Sequence, residues 1–196
     1  MPTIRHATTG RTKNLLWDYF LITQPDDPVS EKIRNEQQHF SEHYHPQTPA
    51  RPHIAIAHFQ AKEAMEETLI RWIQNICRLQ HRFKVTLLNF SGSIPFSISL
   101  PVQDPKPFMQ LTNSLKILNG FIQSNECPPL CVETHPHLTL AGNLPQPVYE
   151  QAKQEYPRRS FQASFAVEKL LLVRRDGSAG SCQLVNTFTL PPAHLN

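Results

Sequence analysis

His53 and His137 stand in nearly the same surroundings, 84 residues apart (137 − 53). Pro52-His53-Ile54-Ala55-Ile56-Ala57 aligns with Pro136-His137-Leu138-Thr139-Leu140-Ala141, identical at the proline, the histidine and the last alanine. In an extended chain, alternation puts His53, Ala55 and Ala57 on one face and Ile54 and Ile56 on the other. It likewise separates His137, Thr139 and Ala141 from Leu138 and Leu140. The branched face suits a core, and small residues beside a histidine leave room for a ligand. A histidine with a pKa near ~6.5 can accept a proton when neutral and donate one when charged, so two rings facing one ligand can do both at once. A cyclic phosphodiester suits such a pair. One ring takes a proton from water, the other protonates the departing 2′ or 3′ oxygen, and the Thr139 hydroxyl holds a phosphate oxygen. A histidine at a strand start is ordinarily structural; it is the duplication that points to chemistry.

The segments around the two strings predict matching element orders. Residues 18–23 read as a buried strand and 27–44 as a polar helix, with Asp27 as N-cap and Pro28 at the first helical position. A loop over 45–52 leads to a strand over 53–59. Residues 61–80 carry Met65, Leu69, Trp72, Ile73 and Ile76 at helical spacing. Strands over 83–90 and 96–102 read as a hairpin about Ser91-Gly92-Ser93. A helix over 106–123 (Leu111, Leu115, Leu118, Ile122) leads through a Cys/Pro loop to a strand over 137–141 and a helix over 147–156. Two strands, 165–174 and 181–190, flank the turn signal Asp176-Gly177. Each half reads helix, short strand, helix, strand, hairpin, strand, which predicts two lobes about a pseudo-dyad. Residues 1–14 and 191–196 read as loose ends around one bilobal domain, 15–190.

Composition narrows the function classes. Of 196 residues, 39% are apolar and 18% charged, which excludes a disordered charged tail or a collagen-like chain. No apolar run approaches the ~20 residues that span a bilayer, and no signal peptide is expected. The net charge, 19 − 16 = +3, is too weak to predict wrapping of duplex nucleic acid but suits a local anionic substrate. Cys77, Cys127, Cys131 and Cys182 have neither zinc-knuckle nor disulfide-scaffold spacing, so reduced thiols in a cytoplasm are expected. Six glycines leave no Gly-rich phosphate or dinucleotide loop. His43-x-His45 and His135-x-His137 lack a set of further ligands beyond Glu133 and read as solvated loops, so no metal is expected. His39, His58 and His81 read as surface residues. Arg158-Arg159 and Arg174-Arg175 read as solvated rims, or as guides for RNA phosphates. Tyr19, Phe20, Phe59, Phe90 and Phe96 read first as core and second as a base-stacking platform.

At its two histidine strings the chain resembles the two-histidine (2H) phosphoesterase superfamily, the 2′-5′ RNA ligase-like and cyclic phosphodiesterase proteins. Their mark is a duplicated His-x-Thr/Ser flanked by aliphatics. His137-Leu138-Thr139-Leu140 matches fully; His53-Ile54-Ala55-Ile56 carries Ala55 in the hydroxyl position. The resemblance covers about residues 15–190. It implies an α/β (α+β) bilobal fold with a pseudo-two-fold, in which two antiparallel-rich sheets line a central cleft and helices lie outside. It also implies His53 and His137 as the acid–base pair, Thr139 as phosphate ligand, and no cofactor. The expected activity is metal-independent opening of 2′,3′-cyclic phosphates, or RNA end joining through a 2′-5′ linkage as its reverse. The expected partners are RNA ends or a nucleotide cyclic phosphate, with no membrane and a monomeric state. Ala55 carries the alternative, a catalytically weakened RNA-end or nucleotide phosphate-binding module.

Overall fold

Both ends of the chain build one half of the main sheet, and its middle builds the other. In the computed structural model, which describes residues 16–45, 51–93, 95–175 and 181–192, β1 (Leu16–Thr23), α1 (Asp27–Tyr44) and β2 (Ile54–Lys62) come first. A 3-10 turn (Glu63–Met65) then opens α2 (Glu66–Arg78), followed by β3 (Phe83–Leu88), β4 (Ser91–Ser93) and β5 (Ser97–Pro101). The second half holds α3 (Lys106–Leu115), α4 (Leu118–Ser124), β6 (Cys131–Val132), β7 (His137–Ala141) and α5 (Gln146–Glu155), then β8 (Gln162–Val167), β9 (Lys169–Arg175) and β10 (Gln183–Thr189). The main sheet is antiparallel and runs β10-β9-β1-β2-β7-β5-β4, with β6 also beside β2; β3 and β8 pair separately. The group β10-β9-β1-β2 meets β7-β5-β4 through one register pair, Ile54 opposite Leu138. This is the expected mixed α/β architecture.

The main sheet buries one face against helices: α1 lies on β7, α2 on β10 and α3 on β2, and α1 also meets β8 of the second sheet. Ile54, Ile56 and Leu138 are fully buried and Leu140 nearly so. Each such side chain contributes roughly 1.5–3 kcal/mol by leaving water.

Both histidine strands carry a bulge at the same point of the repeated string. The β1–β2 register skips Ile56, since Leu21 faces Ala57 and Ile22 faces Ala55. The β5–β7 register skips Leu140, since Ile98 faces Ala141 and Ser99 faces Thr139. An extra residue bends the strand and reverses the alternation beyond it. Ala57 and Ala141 are therefore buried beside Ile56 and Leu140, not on the histidine face that strict alternation predicts. The two bulge carbonyls find partners outside the ladder: Ile56 O accepts from the Glu133 N–H at 2.9 Å, and Leu140 O accepts from the Gln37 amide at 3.5 Å.

Several expected elements shift. Asp26, not Asp27, caps α1, accepting from the Val29 N–H at 3.1 Å; Asp27 occupies the first turn, where a carboxylate favours the helix dipole. The helix expected over 61–80 begins later because β2 runs on to Lys62. The helix expected over 106–123 breaks at 116–117, where the Lys116 N–H bonds Asn113 O in the tighter 3-10 manner. Of the expected hairpin of 83–90 with 96–102 a single antiparallel bridge forms, Leu87 with Val102. Asn89, at φ 49°, turns the chain out of β3; Ser91–Ser93 then pairs with β5, and β3 pairs with β8 instead. The strand expected over 165–174 divides at Glu168 into β8 and β9, which belong to different sheets. The Asp176-Gly177 turn, residues 46–50 of the Pro-rich loop and most of the expected loose ends lie outside the described residues.

Candidate active site

The pairing of Ile54 with Leu138 determines how the two strings face each other. Continued one residue each way, it sets His53 opposite Thr139 and Ala55 opposite His137. Directly opposed residues share a face, so all four stand on the side of the sheet away from the helices. His53 and His137 are diagonal neighbours, roughly 7–8 Å apart at the backbone. Ala55 and Thr139 are exposed and both imidazoles half-buried. On β5, Ser99 faces Thr139 and Pro101 faces His137.

The two rings are held in the same way. His53 Nδ1 lies 2.8 Å from Arg51 O, and His137 Nδ1 lies 2.8 Å from His135 O. A carbonyl only accepts, so each Nδ1 carries the proton and donates it. Nε2 is left for a ligand, as acceptor in the neutral ring and donor in the charged one. Buried Pro52 and Pro136 lie between each ring and its carbonyl, with φ fixed by the pyrrolidine. His135 is exposed; its backbone N–H donates to Glu133 Oε1 at 2.8 Å, and its Nδ1 is 3.0 Å from Thr134 Oγ1. Among the described residues, no three His, Cys, Asp or Glu side chains gather as a metal site.

Beyond its bulge, β2 continues the same open face with His58 and Gln60. Phe20 on β1 faces His58, and their rings stack at 4.7 Å and 23°. The Arg175 guanidinium lies 5.0 Å from the Phe20 ring centre. Asp18 ties these residues together. Its Oδ1 accepts from Gln60 Nε2 at 2.9 Å and lies 3.3 Å from His58 Nε2, while Oδ2 is 4.0 Å from Arg175. The Gln60 hydrogen bond, aided by His58 and Arg175, holds the Asp18 carboxyl below the ordinary carboxylate value against the opposing effect of burial.

Tyr19, Phe59 and Phe90 are core, as first expected; Phe20, expected there too, is instead half-buried on the open face against His58. Phe96 is exposed and packs on Tyr149. The Arg174-Arg175 pair is divided by alternation. Arg174 turns to the helix side and pairs with Glu63 at 3.0 Å and Glu66 at 2.9 Å; Arg175 turns to the histidine side. His58, expected at the surface, stands on the histidine side because the bulge at Ile56 reverses the alternation counted from His53.

The family model described as the 2′-5′ RNA ligase superfamily matches residues 25–179. A search among curated proteins finds no match. Solved structures share the fold. TT0787 of Thermus thermophilus aligns with TM-score 0.70 and 18% identity, covering 90% of this chain and 100% of that one. LigT of E. coli in apo form aligns with TM-score 0.66 and 19% identity, covering 90% and 98%. LigT complexed with 3′-AMP aligns with TM-score 0.61 and 19% identity, covering 89% and 98%.

Proposed function

We propose that this chain, which belongs to the 2′-5′ RNA ligase superfamily, is a phosphoesterase that opens 2′,3′-cyclic phosphates on nucleotides or RNA ends by two-histidine acid–base catalysis. The observation that carries the reading is the matched pair of imidazoles. Each donates its Nδ1–H to the carbonyl two residues earlier and leaves Nε2 on one open face. In the reaction, one neutral Nε2 removes a proton from water as the water oxygen bonds to phosphorus. The other, protonated, gives its Nε2 proton to the ribose oxygen whose bond to phosphorus breaks. The product is a phosphomonoester, and the two rings have exchanged protonation states. Thr139 Oγ1 donates to a non-bridging oxygen. With a ribose 5′-hydroxyl in place of water, the same proton transfers join two ends. LigT, which shares the fold, has been crystallised with 3′-AMP, a phosphomonoester of the kind this reaction releases.

A second reading has its own observation. Ala55 occupies the place across from His137 where a second hydroxyl would stand, and it is exposed. A site with one hydroxyl in place of two fits a module that binds phosphate ends and turns them over weakly. One assay separates the readings: hydrolysis of a nucleoside 2′,3′-cyclic phosphate with a chelator present, by wild type, His53→Ala and His137→Ala. Loss of either acid–base group lowers kcat by about 10²–10⁴-fold. Turnover that survives intact in both variants refutes the mechanism. Absence of turnover in all three proteins, with affinity for a 3′-phosphate retained in both variants, supports the binding module.

A further inference from the structure

The row of side chains that contains His53 continues beyond β2. Thr23 faces Ile54, so Gln24, the residue after β1, stands opposite His53. Ile22 faces Leu171 on β9, and the same register carried two residues further sets Lys169 opposite Gln24. Thr23 Oγ1 donates to Lys169 O at 3.2 Å and fastens this end of the two strands. Directly opposed residues share a face, so His53, Gln24 and Lys169 form one row on the open side of the sheet. Neighbouring strands are about 4.8 Å apart, which puts Gln24 about 5 Å and Lys169 about 10 Å from His53 at the backbone.

This row ends in a cavity of about 640 Å³, lined by Gln24, Lys169 and Arg51 together with Arg34 of α1. That volume suits a small ligand. Arg51 also supplies the carbonyl that holds the His53 ring, so cavity and imidazole share one stretch of backbone. Among the described residues, the charged groups of Arg34, Arg51 and Lys169 have no hydrogen-bond or ion-pair partner, and the Gln24 amide has none either. The carboxylates on the same wall are differently placed. Asp26 accepts from the Val29 N–H at 3.1 Å, and Glu168 is paired with Arg82 at 3.0 Å; only Asp27 is left uncommitted. Three unpaired cations against one unpaired carboxylate make the cavity attractive to an anion.

We infer that this cavity is a second phosphate subsite, which takes the phosphate on the 5′ oxygen of the same sugar whose cyclic phosphate stands between His53 and His137. The inference rests on the phosphoesterase reading for its substrate. A polynucleotide repeats its phosphate once per sugar. A strand that leaves the histidine pair over His53 brings its next phosphate over Gln24, within reach of the long side chains of Arg51 and Lys169. The other wall has no equivalent: the counterpart of Gln24 is Pro101, which faces His137 and has no donor to offer. The cavity therefore gives a nearly symmetric site a direction, with the 5′ side of the substrate over His53.

The test compares adenosine 2′,3′-cyclic phosphate with the same compound carrying a 5′-phosphate, at low ionic strength. Wild type should favour the 5′-phosphorylated substrate in kcat/KM by about 5- to 50-fold, as one or two partly exposed charged contacts give. Added salt should shrink that preference. Arg51→Gln and Lys169→Gln should each lower the ratio, and the double variant should bring it to within about twofold of unity. A merely structural role would lower both substrates together and leave the ratio unchanged. Arg78→Gln, which removes an equal charge from α2 outside the cavity, should keep the wild-type ratio. A wild-type ratio near unity, a ratio retained in the double variant, or an equal drop in Arg78→Gln overturns the subsite. The dinucleotide ApA with the same cyclic end identifies the phosphate that is taken. It ranks with the 5′-phosphorylated substrate if the cavity accepts the link inside an RNA chain, and with the unphosphorylated one if it accepts only a terminal group. If wild type turns over none of these, the phosphoesterase reading has failed and calorimetry decides the subsite separately. Adenosine 3′,5′-bisphosphate should then bind wild type more tightly than adenosine 3′-phosphate, with the advantage lost in the double variant; equal affinities for wild type overturn it.

Discussion

Ala55 lies across from His137 and Thr139 across from His53, so one imidazole has a hydroxyl opposite and the other a methyl group. A hydrogen bond to a charged group contributes about 1.5–3 kcal/mol. Ala55 is exposed, and threonine suits a strand, so Ala55→Thr should fold and raise kcat/KM on a cyclic phosphate by about one to two decades. Steady-state kinetics checks this, and an unchanged kcat/KM would put the added hydroxyl out of the phosphate's reach. The histidine pair itself was legible because proline, histidine and aliphatics recur at a fixed offset. His58 was read as a surface residue, but its place on the histidine side was not legible, because two-residue alternation does not reveal the bulge at Ile56. Only backbone pairing reveals that Ile56 and Ala57 share the buried side.

Among the elements, β7 joins the two groups of strands. Leu138 has Ile54 on one side and Leu100 on the other, and all three are fully buried. Leu138→Ala removes that row's middle and leaves a cavity, at a cost of about 2–5 kcal/mol. For a chain of this length, Tm should fall by roughly 4–20 °C, which a thermal melt measures; a loss of a degree or less would show that the joint relaxes around the gap. The strand over 137–141 was legible to the residue, since apolar alternation bounded by proline and glycine leaves little choice. The hairpin expected of 83–90 with 96–102 is reduced to one bridge, Leu87 with Val102. Its serine-glycine centre is a strand in its own right, and the partner of β3 arrives nearly eighty residues later in β8. Local turn chemistry cannot express a pairing at that separation.

Across the whole molecule, burial divides the four thiols. Cys77 and Cys127 are buried and Cys131 and Cys182 exposed, and none is paired. Desolvation pushes the Cys77 thiol up to about 12, which keeps it out of the reactive thiolate form. A chromogenic disulfide reagent should therefore find two fast thiols in the native protein and four in denaturant; four fast thiols without denaturant would contradict the packing. The mixed α/β plan was legible from the element orders, but not the way strands from both ends of the chain unite in one group.

That crossing has a consequence for synthesis. β1 leaves the ribosome early, yet the strand that covers its outer edge, β9, ends at Arg175, 152 residues after Thr23 (175 − 23). At roughly 5–20 residues per second the wait is about 8–30 s. During that interval a nascent chain holds an unpaired edge rich in Tyr, Phe, Leu and Ile, the kind of edge that recruits other strands. The half built from the middle of the chain has no such delay, so the growing polypeptide is most exposed to aggregation before its last two strands emerge.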